Sequence, residues 1–156
     1  MTIDQTGDMA KEYENLTAAE ITEHLRNGKL LTINRCKRNG LIIYKPHHAE
    51  FAGPGAAVGG NCDLDCQRVT PVGNLSLIDP ETFDDRQTAY KIRIQWLRLM
   101  KKSTEYDDPL QRAEKLMFQF ENFFDSQTLE QLPDEAFALL VGVFPQTVKT
   151  ARAKDA

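Results

Sequence analysis

Leu30-Leu31-Thr32-Ile33-Asn34-Arg35-Cys36-Lys37-Arg38-Asn39-Gly40-Leu41-Ile42-Ile43-Tyr44-Lys45 is the stretch on which the fold turns. Residues 30–36 and 41–45 are rich in aliphatic and β-branched side chains, which suit a pleated, half-buried surface. Asn-Gly between two such runs is the strongest short-range hairpin signal, because both residues tolerate positive φ. A strand pair is predicted here. Downstream, residues 69–72 and 75–78 predict a second pair around Gly73-Asn74, with Pro71 confining the first of them to a sheet edge. Between the pairs, residues 46–60 hold four Gly, two Pro and four Ala, which predicts a mobile loop. Upstream, Thr17-Ala18-Ala19-Glu20 is a capping box opening a helix over Ala18–Arg26, with Ile21 and Leu25 on one face and Gly28 as its stop. Residues 1–16 are polar and are expected to form a flexible N-terminal segment.

From Asp79 the hydrophobic period becomes helical. Asp79-Pro80-Glu81 offers a cap, a proline at the first helical position and an acid in the first turn, predicting a helix that runs to about Lys102. Phe83, Tyr90, Ile94 and Leu97 form one apolar stripe; Ile92, Trp96 and Leu99 form a second. So wide an arc predicts burial on two sides, or on one side plus an interface. Asp108-Pro109 opens the next helix, where Leu110, Ala113, Met117, Phe120 and Phe124 recur at helical spacing with Leu116 and Phe123 alongside. Three short helices follow, over residues 126–132, 134–141 and 145–154.

The predicted fold class is therefore α+β: a short N-terminal helix, a small antiparallel sheet, and a helical C-terminal half ending in a tri-helical unit. One domain is expected over residues 17–156, with the helix and sheet in 17–79 and the helical half in 80–156. So small a sheet cannot hold a core alone, and the helix from Phe83 should pack on it.

A hydrophobic content of 41% and a charged content of 27% belong to a globular chain rather than a disordered one. No apolar run approaches the roughly 20 residues that span a bilayer, and the polar start is no signal peptide. Three cysteines, an odd number, fit a reducing cytoplasm. The net charge of −4 argues mildly against a simple nucleic-acid binder, but the charge is segregated. Residues 29–45 carry five bases and no acid, and residues 91–102 repeat this with Lys91, Arg93, Arg98, Lys101 and Lys102. Residues 103–135 then hold nine acids against Arg112 and Lys115. Such blocks are expected to be solvated or to neutralise one another, inside the fold or across a dimer.

The C-terminal residues Asp134-Glu135-Ala136-Phe137-Ala138-Leu139-Leu140-Val141-Gly142-Val143-Phe144-Pro145-Gln146-Thr147-Val148-Lys149-Thr150-Ala151-Arg152 carry a second pattern. Ala138 precedes Gly142 by four, Val143 follows, and Val148 and Ala151 lie five and eight beyond Val143. Over about 20 residues this resembles the helix-turn-helix of bacterial DNA-binding proteins, whose second helix lies in the major groove. The resemblance implies that small Ala138 permits a close helix crossing and that Gly142 supplies a positive-φ turn. Phe137, Val141, Val143, Val148 and Ala151 would then fill the wedge. Gln146, Thr147, Lys149, Thr150 and Ala153 would face base edges, and Arg152 and Lys154 would reach phosphates. The same residues also suit a helical hairpin closing a core, with Gly142 as an ordinary C-cap.

Cys36, Cys62, Cys66, His47 and His48 are the candidate metal or redox set. The three residues between Cys62 and Cys66 exceed the two favoured by structural zinc knuckles, and no metal or other cofactor is expected. No Ser or Cys lies on a nucleophile elbow and no phosphate loop is present, so no catalytic residue is assigned. Two functions fit. One is a small cytoplasmic DNA-binding transcription regulator, acting as a homodimer. The other is a non-enzymatic regulatory adaptor that binds a protein partner through its apolar helix and charge blocks.

Overall fold

The computed structural model describes residues 11–154, and the first ten residues of the expected flexible segment lie outside them. Strands β1 (Glu12–Tyr13), β2 (Leu30–Ile33), β5 (Ala57–Gly59) and β7 (Leu77–Ile78) form one antiparallel sheet in the order β1-β7-β2-β5. Strands β3 (Gly40–Tyr44), β4 (Ala49–Ala52) and β6 (Arg68–Val72) form a second, ordered β4-β3-β6. Helix α1 (Ala18–Arg26) opens with the anticipated capping box, Thr17 and Glu20 each bonding the other's backbone N–H at 3.1 Å. The helical half is α2 (Phe83–Thr104), α3 (Pro109–Glu121), α4 (Ser126–Glu130), α5 (Asp134–Val141) and α6 (Pro145–Lys154). The class is α+β, with the helical C-terminal half expected. Among the described residues, no helix is long and apolar enough to cross a membrane.

Strand β3 explains the layering. All five of its residues are buried, so its continuous apolar run is that of a strand covered on both faces. Leu41 and Ile43 point into a core shared with Ile21 and Leu25 of α1 and with Leu31, Ile33, Val58 and Leu77 of the larger sheet. Ile42 and Tyr44 point the other way, into a core built with Leu116 and Phe120 of α3 and Phe137 of α5. Phe51 holds that second core together: its ring lies 4.9 Å from Phe120 and 5.4 Å from Trp96, both edge-on. Such aromatic pairs contribute about 0.5–1.5 kcal/mol each beyond the area they bury. A buried polar link joins α2 to α3, with Ser103 Oγ donating to Gln119 Oε1 at 2.8 Å and Gln119 Nε2 donating to Leu99 O at 3.1 Å.

Neither expected hairpin forms. β2 and β3 lie in different sheets, and β6 and β7 are likewise separated. Asn39-Gly40 is not the positive-φ hairpin turn expected, since neither residue has positive φ. Asn39 is buried, and its side chain donates to Asn34 O and Lys37 O and accepts from Ser76 N at 2.9 Å. It thereby stitches the crossover between the sheets. The hairpin that does form joins β3 to β4 across Pro46 and His47, closed by Lys45 N donating to His48 O at 2.7 Å. β6 is an edge strand, as Pro71 requires.

Residues 46–60 are not a mobile loop. They contain β4 and β5, and most are buried. Their small side chains form the seat of α2: a Cβ at Gly53 would collide with the Trp96 indole, and one at Gly55 would meet Ile92 Cδ1 at 3.0 Å. Part of the segment expected to be flexible is also paired, through Glu12 with Ile78 and Tyr13 with Leu77. α2 is capped by Thr82 and not by Asp79. Its buried arc is Ala89, Arg93, Met100 and Ser103, whereas Phe83 and Ile94 from the expected first stripe are exposed.

Candidate nucleic-acid interface

α5 and α6 meet at a turn that their sequence dictates. Leu140 and Val141 end α5 buried, and Gly142 follows in the left-handed region with φ 69° and ψ 44°. Both Gly142 N and Val143 N donate to Ala138 O, the latter at 3.0 Å. One carbonyl of the last turn is thus shared by two donors, a glycine-dependent helix stop. Pro145 then begins α6, which needs no backbone N–H there. Phe137, Ala138, Val141, Val148 and Ala151 are buried between the helices, and Val143 is partly buried against them. The tri-helical unit differs from the expected one in its first member. α6 packs on α3 as well as on α5, while α4 touches chiefly α3.

The outward face of α6 carries Gln146, Lys149, Thr150 and Ala153, all exposed, with Thr147 half-buried at its margin. Thr150 Oγ1 donates back to Gln146 O at 3.0 Å, which leaves the hydroxyl oxygen free to accept. Lys149 is the one α6 cation without an ion pair among the described residues. Arg152, expected to reach a phosphate, is placed inward. Its guanidinium donates to Asp134 Oδ1 and to Leu129 O, each at 2.6 Å, and lies 4.8 Å from the Phe137 ring centre. It ties α6 to α5 and to the end of α4. Lys154 is exposed and lies 3.6 Å from Glu114 on α3, a surface pair worth about 0–1 kcal/mol and easily exchanged. Phe144, just before α6, is 81% exposed.

The metal candidates are not assembled. Cys36 and Cys62 are exposed free thiols, Cys66 is buried, and His47 and His48 are exposed at the β3–β4 turn. Among the described residues, no three His, Cys, Asp or Glu side chains are placed to hold a metal ion. Desolvation pushes both the Cys62 and Cys66 thiols up, against the opposing Arg93 charge at Cys62 and with the Asp63 charge at both, which disfavours a nucleophilic thiolate at neutral pH.

The densest ionic cluster surrounds Asp63. Its carboxylate is wholly buried and accepts from Arg93 Nη1 at 2.9 Å, Arg93 Nη2 at 3.0 Å and Gly59 N at 2.7 Å. Lys45 Nζ is 3.0 Å away and also donates to Asp65 at 2.7 Å and to Cys62 O. Arg93 reaches further to Ala57 O at 3.0 Å and to Glu50 at 2.9 Å, and His48 holds the other Glu50 oxygen at 2.8 Å. Burial alone would raise the Asp63 carboxyl, but the Arg93 bonds and charge, with help from Gly59 and Lys45, hold it below the ordinary range. With Asp63, Arg93 and Lys45 buried at its centre, this cluster clamps α2 onto residues 57–63. Its one sequence signal was a cation, Arg93, spaced between Ala89 and Met100 on the arc that faces inward.

A cleft of about 430 Å³ lies beside β1 and is bordered by Tyr13, Glu14, Lys37 and Leu75. Its ionisable groups Glu14 and Lys37 pair with each other at 2.8 Å. No protein family's model matches the chain. No curated protein matches it in sequence.

Proposed function

We propose that the protein is a small, non-enzymatic cytoplasmic regulator of transcription that binds DNA by presenting α6 to the major groove. The observation that supports this reading most is the Gly142 turn. It joins two short helices over a wedge of small and β-branched residues and leaves the exposed row Gln146, Lys149 and Thr150. Each side chain in that row has a partner on base edges: Gln bonds adenine in two places, Lys meets the two acceptors of guanine, and Thr serves either. One helix of 10 residues reads few base pairs, so a homodimer on paired half-sites is the proposed binding species.

The test replaces Gln146 and Lys149 with Ala together. Both are exposed, so folding should persist, while a lost base contact costs about 1–3 kcal/mol, or roughly 5- to 150-fold in affinity. Equal binding by parent and variant to a site selected by the parent would remove α6 from the interface. Light scattering that finds only monomer at high micromolar concentration would remove the paired half-sites.

The adaptor reading draws on a different observation. Phe144, Phe83, Phe118 and Ile94 are exposed at 81%, 69%, 58% and 47%. A protein partner docked on α2 through Phe83 and Ile94 and the charge blocks is the proposed alternative. The two readings part on salt: capture of DNA weakens steeply between 50 and 200 mM, and apolar docking does not.

A further inference from the structure

The cations that α6 lacks are present on α2. Residues 86–104 hold six bases and no acid, and only Arg93 of the six turns inward to carboxylates. Opposite the buried arc of Ala89, Arg93 and Met100 lie Lys91, Arg98 and Lys102, at i, i+7 and i+11, with Lys101 beside them. At 1.5 Å per residue the row is about 16 Å long. All four are exposed, and none makes an ion pair or hydrogen bond among the described residues. The acids of this helix are confined to Asp84 and Asp85 in its first turn and to Glu105 at its C-cap. On the flank, the exposed Arg35 lies beside Ile92, since a Cβ at Gly55 would touch both side chains.

Of the two outcomes expected for the charge blocks, this face is exposed to solvent and is not neutralised among the described residues. Lys101 and Lys102 are favoured by the C-terminal end of the helix dipole. Lys91 is too far from that end to gain, and Arg98 faces Lys101 and Lys102 at i+3 and i+4. Each such like-charge pair destabilises a helix by about 0.2–0.5 kcal/mol. A row of flexible, unpaired cations retained against that cost matches one ligand chemistry, a regularly spaced polyanion. Because α6 offers a single free cation, the charge needed to hold a duplex is on α2.

We infer that the outward face of α2, through Lys91, Arg98, Lys101 and Lys102, binds the phosphate backbone of double-stranded DNA without regard to sequence. The inference rests on the DNA reading of α6 but fails separately from it. α2 supplies affinity and salt dependence, and α6 supplies selectivity.

The experiment is fluorescence anisotropy of a 20-bp duplex of random sequence, titrated with the full chain between 50 and 200 mM salt. Four phosphate contacts predict a slope of log affinity against log salt near −3.6, roughly a 100-fold loss over that range. Lys91→Gln, Arg98→Gln and Lys102→Gln together should reduce the slope by about 2.7, with thermal stability intact. Arg86→Gln, a cation off the row, should leave binding within twofold. The Gln146→Ala, Lys149→Ala variant should keep binding to random duplex, its slope still near −3.6. Unchanged binding by the triple variant overturns the inference. Absence of duplex binding at 50 mM overturns it together with the α6 reading, and capture of polyglutamate instead would assign the row to an acidic protein partner. If only the α2 variant changes binding, and the parent shows no sequence preference, the α6 reading fails while the α2 face stands.

Discussion

Asp63→Asn is the perturbation with the largest predicted effect on the fold. The substitution keeps the shape and removes the charge between two nearly buried cations, the Arg93 and Lys45 side chains being 2% and 4% exposed. Two bonds from Arg93, one from Gly59 and the Lys45 contact lose their ionic acceptor. Removing one partner of a buried pair costs about 3–5 kcal/mol, because the remaining charge is stranded. Here the lower end applies, since Arg93 keeps Glu50, 21% exposed, and Lys45 keeps Asp65, 57% exposed. For a chain of this size about 3 kcal/mol lowers Tm by roughly 6–12 °C. Thermal denaturation at pH 7 measures it. The double change Asp63→Leu, Arg93→Met should be less destabilising than the sum of its two single changes, because neither member of the Asp63–Arg93 pair is then left buried without the other. A loss below about 1 kcal/mol for Asp63→Asn, or strictly additive single changes, would refute the clamp.

Other outcomes follow from the same geometry. Arg152→Ala should lower stability by about 1–3 kcal/mol through loss of its Asp134, Leu129 and Phe137 contacts, while Lys149→Ala stays within about 0.5 kcal/mol; urea denaturation separates them. Gly142→Ala should cost about 1–2 kcal/mol from backbone strain alone, because a Cβ there meets nothing within 4 Å. Acid should destabilise the protein through carboxylates whose folded pKa is depressed. The Ser76 hydroxyl, aided by Lys37, brings Glu12 from 4.5 to about 2, and Asp63 is likewise lowered. A depressed pKa contributes stability above its unfolded value and loses it as pH falls through the folded one. Tm should therefore hold above about pH 4.5 and decline from there toward 2, and a flat profile across that window would contradict the Glu12 environment.

The helical half was legible because its signals are local. Asp108-Pro109, the spacing of Leu116 and Phe120, and Gly142 followed by Pro145 each act within one or two turns. The sheets were not, because their pairing is decided by distant residues. β2 pairs with β5 and β7, 25 or more positions along the chain, and no local pattern announces that. Gly53, Gly55 and the alanines around them looked like a flexible loop because the small residues that admit α2 have the composition of one that merely bends. On α2 the second expected stripe, Ile92, Trp96 and Leu99, packs on the cores, but Phe83 and Ile94 of the first were misplaced for the complementary reason. A buried Arg93 reads as surface unless its partner Asp63, 30 positions earlier, is known to face it. The α6 row was legible as a helix face, but the inward pull of Asp134 on Arg152 was not.

The central claim is that α6 reads DNA sequence, and selection from a random duplex library tests it most directly. The full chain at about 50 mM salt should enrich a short motif, as paired half-sites about one helical turn apart if the protein is a dimer. The Gln146→Ala, Lys149→Ala variant should retain duplex but lose that enrichment. Enrichment of no motif by the parent, or of the same motif by the variant, would contradict the account.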